Sequence, residues 1–270
     1  MRWLLLDAGN TALKWALSGT DEPRALARGV VELGAPPALA AAVRQSLRET
    51  GPEASLPPAF GCSVASETLT QAIAAEVAPV TAAGVRWVHS QARFELNGVA
   101  LLNGYRDPAQ LGADRWHAMV AARMSFPDRP LVVVCAGTAT TVDSIDAAGR
   151  FLGGTIAPGS ALMTDSLARG TARLPRSTGQ AVELPDNTDD AIATGVADAQ
   201  AGLVERRVRA LARAIGPPQL VIAGGRGSEL AARLCLAGEV SGVTIEEHLI
   251  LNGLWFRASA DAAAGRTDPR

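Results

Sequence analysis

The sequence has few of the features that mark several large classes of protein. Its three cysteines, Cys62, Cys135 and Cys235, are widely separated and form no C-x-x-C pair, so neither a disulfide framework nor a zinc site is indicated. No apolar run approaches the roughly 18 residues of a membrane-spanning helix. The apolar start of the chain stops at Asp7, too early for a signal peptide. These absences predict a protein of the reducing cytoplasm.

The chain also lacks a large excess of positive or of negative charge. The chain has 25 basic and 27 acidic residues, a formal net charge of −2, which argues against nucleic acid as the main partner. Neither G-x-x-x-x-G-K-[ST] nor G-x-G-x-x-G occurs, so the chain is not a P-loop protein and carries no dinucleotide-binding fingerprint. Any nucleotide site must therefore be built from other residues.

The length of 270 residues fits one large domain or two of about 130 residues each. Apolar strand patterns alternate with amphipathic helix patterns, which predicts an α/β fold. Gly227 is followed by Ser228, which we expect to cap a helix, and we expect the tail Ala258–Arg270 to fray. The main helices are predicted at 36–50, 66–77, 160–168 and 187–215, and the main strands at 4–6, 59–64, 85–89, 131–135, 151–157 and 220–223.

The opening stretch Leu4–Lys14 predicts a buried strand that feeds a phosphate-binding turn. Glycine lets backbone N–H groups approach an anion, and Asp7 could hold Mg²⁺ together with phosphate oxygens. Lys14 is the only lysine in the chain, and its compact charge suits a phosphate contact. An ordinary strand ending in an Asx turn remains the alternative.

The stretch Leu131–Asp143 repeats this design 128 positions later: Asp7-Ala8-Gly9-Asn10 aligns with Cys135-Ala136-Gly137-Thr138. Two copies of one strand–turn–strand unit could hold one phosphorylated ligand. A third strand-to-glycine turn, Leu220–Gly227, could let an adenine or ribose lie against the backbone. The alternative is that Val-rich strands ending in glycine are common in α/β proteins.

The segment Asn103–Trp116 is punctuated by glycine and proline and leads into a helix predicted at Asp114–Met124. Asp114 could be the helix N-cap or a catalytic acid–base group. Tyr105 is the only tyrosine, and its alternative role is packing beneath the loop. Arg106 or Arg115 could pair with a substrate carboxylate, or could be solvated.

Together these segments resemble the type III pantothenate kinases, members of the actin, hexokinase and Hsp70 superfold. Five motifs in order carry the resemblance. They are Asp7-Ala8-Gly9-Asn10-Thr11 with Lys14, Tyr105-x-x-Pro108-x-x-Leu111-Gly112-Ala113-Asp114-Arg115, Ala136-Gly137-Thr138-Ala139-Thr140, Gly153-Gly154-x-Ile156-x-Pro158-Gly159 and Asn187-Thr188-x-x-Ala191-Ile192-x-x-Gly195.

The resemblance implies two ribonuclease-H-like domains, expected at 1–127 and 128–270, around a nucleotide cleft. It also implies a homodimer and ATP-dependent phosphorylation of pantothenate, the first step of coenzyme A synthesis. Asp114 would be the general base. ATP with Mg²⁺ would be bound by Asp7, Ala8, Gly9, Asn10, Thr11, Ala12, Leu13, Lys14 and Thr138, with Asp7 as the magnesium ligand. Pantothenate would be bound by Tyr105, Gly112, Ala113, Asp114, Arg115 and Thr188.

One residue departs from the pattern of the family. The family usually places an aspartate for a monovalent cation, K⁺ or NH₄⁺, where this chain has Cys135. Two alternatives stay open: an ATP-binding regulatory module on the same fold, favoured only by Cys135, and a kinase of another small hydroxylated substrate such as a sugar. Retention of Asp114 and Lys14 favours the enzyme.

Overall fold

The computed structural model describes residues 2–32, 38–51 and 55–266, which divide into two units. The first unit contains the described residues up to Ser125 together with those from Leu249, and the second is Phe126–His248. The first boundary lies close to the one expected after residue 127. The expected second domain, 128–270, differs at its end, because the last helix packs on the sheet and a helix of the first unit.

The elements are numbered along the chain. The strands are β1 Arg2–Ala8, β2 Ala12–Gly19, β3 Ala25–Glu32, β4 Ala59–Ser63, β5 Val85–Trp87, β6 Arg93–Leu96, β7 Val99–Leu102, β8 Leu131–Ala136, β9 Ala139–Ile145, β10 Phe151–Pro158, β11 Gln219–Ala223 and β12 Gly242–Ile245. The helices are α1 Leu39–Glu49, α2 Glu67–Val77, α3 Ala113–Ser125, α4 Ser160–Gly170, α5 Thr188–Ile215, α6 Gly227–Ala231 and α7 Leu249–Ala263.

Each unit is built on a five-stranded sheet with the same topology. The orders are β3-β2-β1-β4-β5 and β10-β9-β8-β11-β12. In both, the first three strands form an antiparallel meander and the last two run parallel to the central strand. The strand–turn–strand repeat inferred from the sequence is therefore part of a larger repeat, a whole sheet that occurs twice.

The central strand β1 is buried on both faces, as its unbroken run of apolar residues predicts. Leu4 and Leu6 point to one face, in a cluster with residues of α1 and α2, whereas Trp3 and Leu5 point to the other face, in a cluster with residues of α7. Each fully buried leucine contributes about 2 kcal/mol. This burial fixes β1, and with it the turn that follows Ala8.

In the first unit, α7 approaches α3 very closely. A Cβ placed on Gly253 would lie 1.8 Å from the carbonyl oxygen of His117 on α3, so only glycine fits there. The expectation that Ala258–Arg270 frays is wrong for its first part: the helix continues to Ala263, and Ala258 and Asp261 are fully buried. Residues 267–270 lie outside the described residues.

Two other local features differ from the sequence-based expectations. The β6–β7 hairpin was not predicted, although its turn Asn97-Gly98 has positive φ angles of 52° and 78°, as an Asn-Gly hairpin turn requires. Ser228 is not a helix cap, because α6 begins at Gly227 and its N-cap, Arg226, makes no side-chain capping bond. Among the described residues, no helix is long and apolar enough to cross a membrane.

Candidate active site

The turn between β1 and β2 presents two opposite charges side by side. In the sheet register Asp7 pairs with Lys14 on β2 and with Cys62 on β4, so the three side chains share one face. Asp7 is only 8% exposed. Its carboxylate Oδ1 lies 3.8 Å from the Cys62 thiol, which is its hydrogen-bond donor among the described residues.

Burial is the main influence on the pKa values of Asp7 and Cys62. Burial raises the pKa of Asp7 to about 6; the charge of Lys14 lowers that pKa, the charge of Asp114 raises it, and the Cys62 hydrogen bond lowers it. Burial, followed by the charges of Asp7 and Asp114, raises the pKa of the Cys62 thiol well above its ordinary value, so the thiol stays protonated and donates. Because Asp7 and Asp114 influence each other through their charges, the structure brings the two carboxylates of the candidate site into one neighbourhood.

These residues fit a magnesium ion of the nucleotide-bound kind. Within the described part of the chain, no three His, Cys, Asp or Glu side chains cluster to form a complete metal cage. Mg²⁺ bound with a nucleotide needs only one or two carboxylates, because phosphate oxygens and water complete its octahedron. Among the described residues, the Asp7 side chain accepts one weak bond, from the Cys62 thiol, which suits that role.

The other residues of the predicted nucleotide-binding segment differ in how exposed their side chains are. The turn is closed by a hydrogen bond from Gly9 N to the Ala12 oxygen at 3.1 Å, and Asn10 and Thr11 are exposed at its tip. Ala8 and Leu13 are buried, and Leu13 belongs to the core. Any contact of Ala8 or Leu13 with a ligand must therefore come from the backbone.

Asp114 lies in the first turn of α3 rather than at its N-cap, because the helix already begins at Ala113. Its Oδ1 accepts a hydrogen bond from the backbone N of Arg115 at 2.8 Å. A Cβ at Gly112 would lie 2.6 Å from that Oδ1, so glycine leaves room for the carboxylate. The positive end of the α3 dipole therefore lies at this carboxylate.

Arg115 and Tyr105 form a pair beside Asp114. Arg115 Nη1 donates to the Tyr105 hydroxyl at 3.1 Å, and the guanidinium lies 5.8 Å from the centre of the tyrosine ring. Arg115 is 4% exposed. Tyr105 therefore supports a buried cation, a more specific role than packing beneath the loop. Arg106, the other candidate for a substrate carboxylate, is exposed.

The second unit contains the repeated turn, in an uncharged form. Cys135 pairs with Thr141 across β8 and β9, and Gly137 N donates to the Ala139 oxygen at 3.1 Å. Thr138 is exposed, and its carbonyl accepts a bond from Gly159 N at 2.9 Å. A Cβ at Gly224 would lie 2.3 Å from the Ala136 oxygen, so the turn after β11 packs directly against this one.

A shallow pocket opens beside this turn, with about 380 Å³ of space that includes open solvent. Its polar wall was missed by the sequence analysis. Gln200 on α5 is 4% exposed; its amide donates to the Pro158 oxygen at 2.9 Å and its carbonyl accepts from Thr140. The sequence contained one signal for this polar wall: a glutamine, Gln200, lies four residues after Val196 on the otherwise apolar face of the predicted helix. The lining residues include Gly137, Thr140, Gln200, Arg226, Glu229 and Arg233.

Thr188 is the first residue of α5, as expected, and is exposed. Asn187 caps the helix, because its side chain accepts a bond from Asp190 N at 2.9 Å. Of the predicted substrate residues, Tyr105, Gly112, Ala113, Asp114 and Arg115 lie in the first unit, and Thr188 lies in the second. The only other predicted site residue of the second unit is Thr138.

Comparisons with known sequences agree on one family. The family model described as type III pantothenate kinase matches residues 3–210. A type III pantothenate kinase of Cupriavidus taiwanensis is 39% identical and covers 96% of this chain and 98% of its own length. One from Laribacter hongkongensis is 40% identical, with 93% and 96% covered.

Among solved structures, the chain resembles the activator of 2-hydroxyisocaproyl-CoA dehydratase from Clostridium difficile with bound ADPNP. The TM-score is 0.54 at 14% identity, with 98% of this chain and 97% of that chain covered. At this identity the likeness concerns the fold alone. The predicted fold class, two ribonuclease-H-like domains of the actin, hexokinase and Hsp70 superfold, is confirmed.

Proposed function

The chain belongs to the type III pantothenate kinase family, and we propose that it transfers the γ-phosphoryl group of ATP to a hydroxyl of pantothenate. The products are ADP and 4′-phosphopantothenate, and the reaction is the first step of coenzyme A synthesis. Kinases of this kind use ATP with a divalent metal. The observation that carries the proposal is the acidic pair of the first unit: Asp114 at the start of α3, coupled in charge to Asp7 beside Lys14.

Asp114 is the general base. Phosphoryl transfer requires in-line positioning, neutralisation of phosphate charge and an acceptor for the hydroxyl proton. In the proposed step the pantothenate oxygen forms a bond to the γ-phosphorus, its proton passes to the Asp114 carboxylate, and the bond to the leaving oxygen of ADP breaks. Asp7 holds Mg²⁺, which neutralises phosphate charge when bound, and Lys14 contacts phosphate.

Arg115 binds the carboxylate of pantothenate. Its guanidinium is almost fully buried and is held by the Tyr105 hydroxyl, so little side-chain freedom is lost when a carboxylate pairs with it. Gly112, Ala113 and Thr188 complete the proposed pantothenate-binding residues.

Thr138, in the second unit, is the remaining residue of the proposed nucleotide-binding set. The turn at Gly137 and Thr138 offers backbone N–H groups and a hydroxyl to phosphate, as the matching turn of the first unit does with Asn10 and Thr11. The cavity beside Gly137 is the proposed place of the nucleoside. Arg226 and Arg233 line that cavity and can stack on a base.

A monovalent cation, if it activates the enzyme, is held weakly at Cys135. A thiol has an unperturbed pKa of about 8.5 and is a soft ligand, so it suits K⁺ or NH₄⁺ poorly. Carbonyl oxygens and other side chains would then carry the site. This stays a proposal about the one motif in which the chain departs from its family.

We place the enzyme in the cytoplasm as a homodimer. None of the described residues of α4 is buried, and Leu162 on that helix and Leu152 and Ile156 on the neighbouring β10 are 44%, 48% and 64% exposed. Grouped apolar exposure of this kind often marks an interface. In light scattering, Ile156→Glu should weaken the dimer, whereas Val30→Glu, on the outer strand of the other sheet, should leave it intact. Unchanged dimerisation in Ile156→Glu would refute this interface.

The reaction itself is tested by coupled ADP release with ATP and Mg²⁺. We expect turnover with pantothenate and little with glucose, glycerol or pantothenol, the alcohol that replaces the carboxylate of pantothenate. Release driven equally by a sugar would favour the alternative kinase. Nucleotide binding without release on any acceptor would favour the regulatory module.

A further inference from the structure

The segment that carries Tyr105 is held by polar bonds rather than by a core. It runs from Asn103, just after β7, to Gly112, just before α3, and Leu111 is its one buried residue. Leu111 anchors only the end near α3. The part around Tyr105 must be fixed by other means, because an unfixed loop would lose entropy on binding a ligand.

Asn103 bridges that part of the segment. Its Oδ1 accepts a hydrogen bond from Tyr105 N at 3.0 Å, and its Nδ2 donates to the Pro108 oxygen at 3.3 Å. These partners are an N–H and a carbonyl, so they fix which end of the amide is which. The backbone N of Asn103 also donates to the Ala92 oxygen at 3.0 Å, which ties the bridge to the chain before β6.

Ser90 provides a second anchor from outside the segment. Its Oγ donates to the same Pro108 oxygen at 2.7 Å. Pro108 O therefore receives bonds from Asn103 and Ser90, on either side of the β6–β7 hairpin. We call Asn103, Ser90 and the Pro108 carbonyl the loop clamp.

We propose that Asn103, assisted by Ser90, is a positioning residue for pantothenate: the loop clamp holds Tyr105 where its hydroxyl supports Arg115. The proposal rests on the proposed function. Asn103 does not contact the substrate, because both ends of its amide are already bonded to the protein. It acts through Tyr105, whose hydroxyl accepts the bond from Arg115 Nη1.

Kinetics give the first test. Asn103→Ala should raise the KM for pantothenate about tenfold, the effect of losing roughly one or two modest hydrogen bonds, with kcat and the KM for ATP nearly unchanged. Ser90→Ala removes one donor to Pro108 O and should have a smaller effect of the same kind. Gln71→Ala, which removes an exposed amide bonded to Glu67 on α2, is the matched control.

The single tyrosine gives a direct readout of the clamp. Protein labelled with ¹³C-tyrosine shows ring signals from Tyr105 alone. Without any ligand, Asn103→Ala should shift or broaden these signals, whereas Gln71→Ala should not. With pantothenate, the wild-type signals should shift at concentrations near KM, and the variant should need about tenfold more.

Different experimental results would refute the proposed function and the role of the loop clamp. Wild-type protein that neither turns over pantothenate nor shows a Tyr105 shift with it would refute the proposed function. Tyr105 signals in ligand-free Asn103→Ala identical to wild type would refute the loop clamp. A pantothenate KM unchanged by Asn103→Ala, in an active enzyme, would refute the positioning role.

Discussion

The turn after β1 and the turn after β8 are equivalent parts of two sheets with the same topology, yet their chemistry differs. In the first, Asp7 stands beside Lys14; in the second, Cys135 stands beside Thr141. Both turns keep a glycine whose N–H closes the turn at 3.1 Å. The strand–glycine turn–strand arrangement is present in both copies, although the second turn is one residue shorter, and the charge is present in only one.

From this difference we propose a division of labour between the two units. The first unit combines the charged turn with Asp114 and the Tyr105–Arg115 pair, the groups that can handle metal, protons and a carboxylate. The second unit offers a neutral turn and a cavity lined by Gln200 and two arginines, which suit binding. Substitutions in each turn test whether function follows this division.

The largest expected effect comes from removing the proton acceptor. Asp114→Asn should lower kcat about 10²- to 10⁴-fold, the usual contribution of a general base, while ADP still raises the melting temperature as in the wild type. Asp107→Asn, in an acid of the same segment, is the matched control and should retain activity. Wild-type turnover in Asp114→Asn would leave that residue a structural role only.

The next largest expected effect is a gain in the free energy of unfolding when Asp7 is replaced by asparagine. Its pKa is raised to about 6 in the folded protein, so ionising Asp7 costs the folded state free energy that grows as pH rises from about 4 to 6 and is constant above. Asp7→Asn should therefore stabilise the metal-free, nucleotide-free protein by about 3 kcal/mol at pH 7.5 and by roughly half that at pH 5, and should abolish activity.

Urea unfolding at the two pH values measures this gain. Cys135→Ser, at the equivalent neutral position, is the control and should show no comparable pH-dependent gain. A destabilised Asp7→Asn protein at pH 7.5 would mean that Asp7 contributes to the fold rather than being held ready for a metal.

Lys14→Ala should weaken the use of ATP. Loss of one charge-assisted contact corresponds to about a 10- to 100-fold drop in kcat/KM for ATP. The melting temperature without nucleotide should fall only slightly, because Lys14 is half-buried and its charge acts on the buried Asp7. Thr141→Val, at the equivalent place in the other turn, should affect kcat/KM for ATP less. Normal kinetics with lost stability would show that Lys14 is structural.

The smallest effect is expected at Cys135. We expect weak activation by K⁺ in the wild type and a stronger response in Cys135→Asp, because a carboxylate is the harder ligand. The change should stay below about tenfold. Titrating K⁺ against tetramethylammonium at constant ionic strength measures it. Strong K⁺ activation that Cys135→Asp leaves unchanged would show that the cation is held elsewhere.

Much of the fold could be predicted from local patterns. The bounds of α5 at Asn187 and Gly216 follow from a cap and a glycine, and the repeat of the two turns was visible in the sequence. The place of α7 was not predictable, because its fit depends on Gly253 lying against α3, a contact distant in sequence. Its alanine- and arginine-rich end resembled a frayed tail.

The candidate site shows the same contrast between local patterns and contacts that are distant in sequence. Residues within one motif, such as Asp7 with Lys14 or Asp114 with Arg115, were recognisable because the sequence itself places them together. Cys62 and Asn103 were not, because their importance arises from register and loop closure. Cys62 reaches Asp7 only through the parallel pairing of β1 and β4, and Asn103 matters only because Tyr105 and Pro108 turn back onto it.

The unequal roles of the two turns are tested most directly at the single lysine. Reductive ¹³C-methylation keeps the charge of Lys14 and gives one lysine signal besides that of the chain terminus. With Mg²⁺ present, we predict a saturable shift of that signal with ADP, a larger one with a non-hydrolysable ATP analogue and little with adenosine. If the Lys14 signal stays unmoved while the same nucleotides raise the melting temperature, the charged turn does not contact phosphate and the division of labour is wrong.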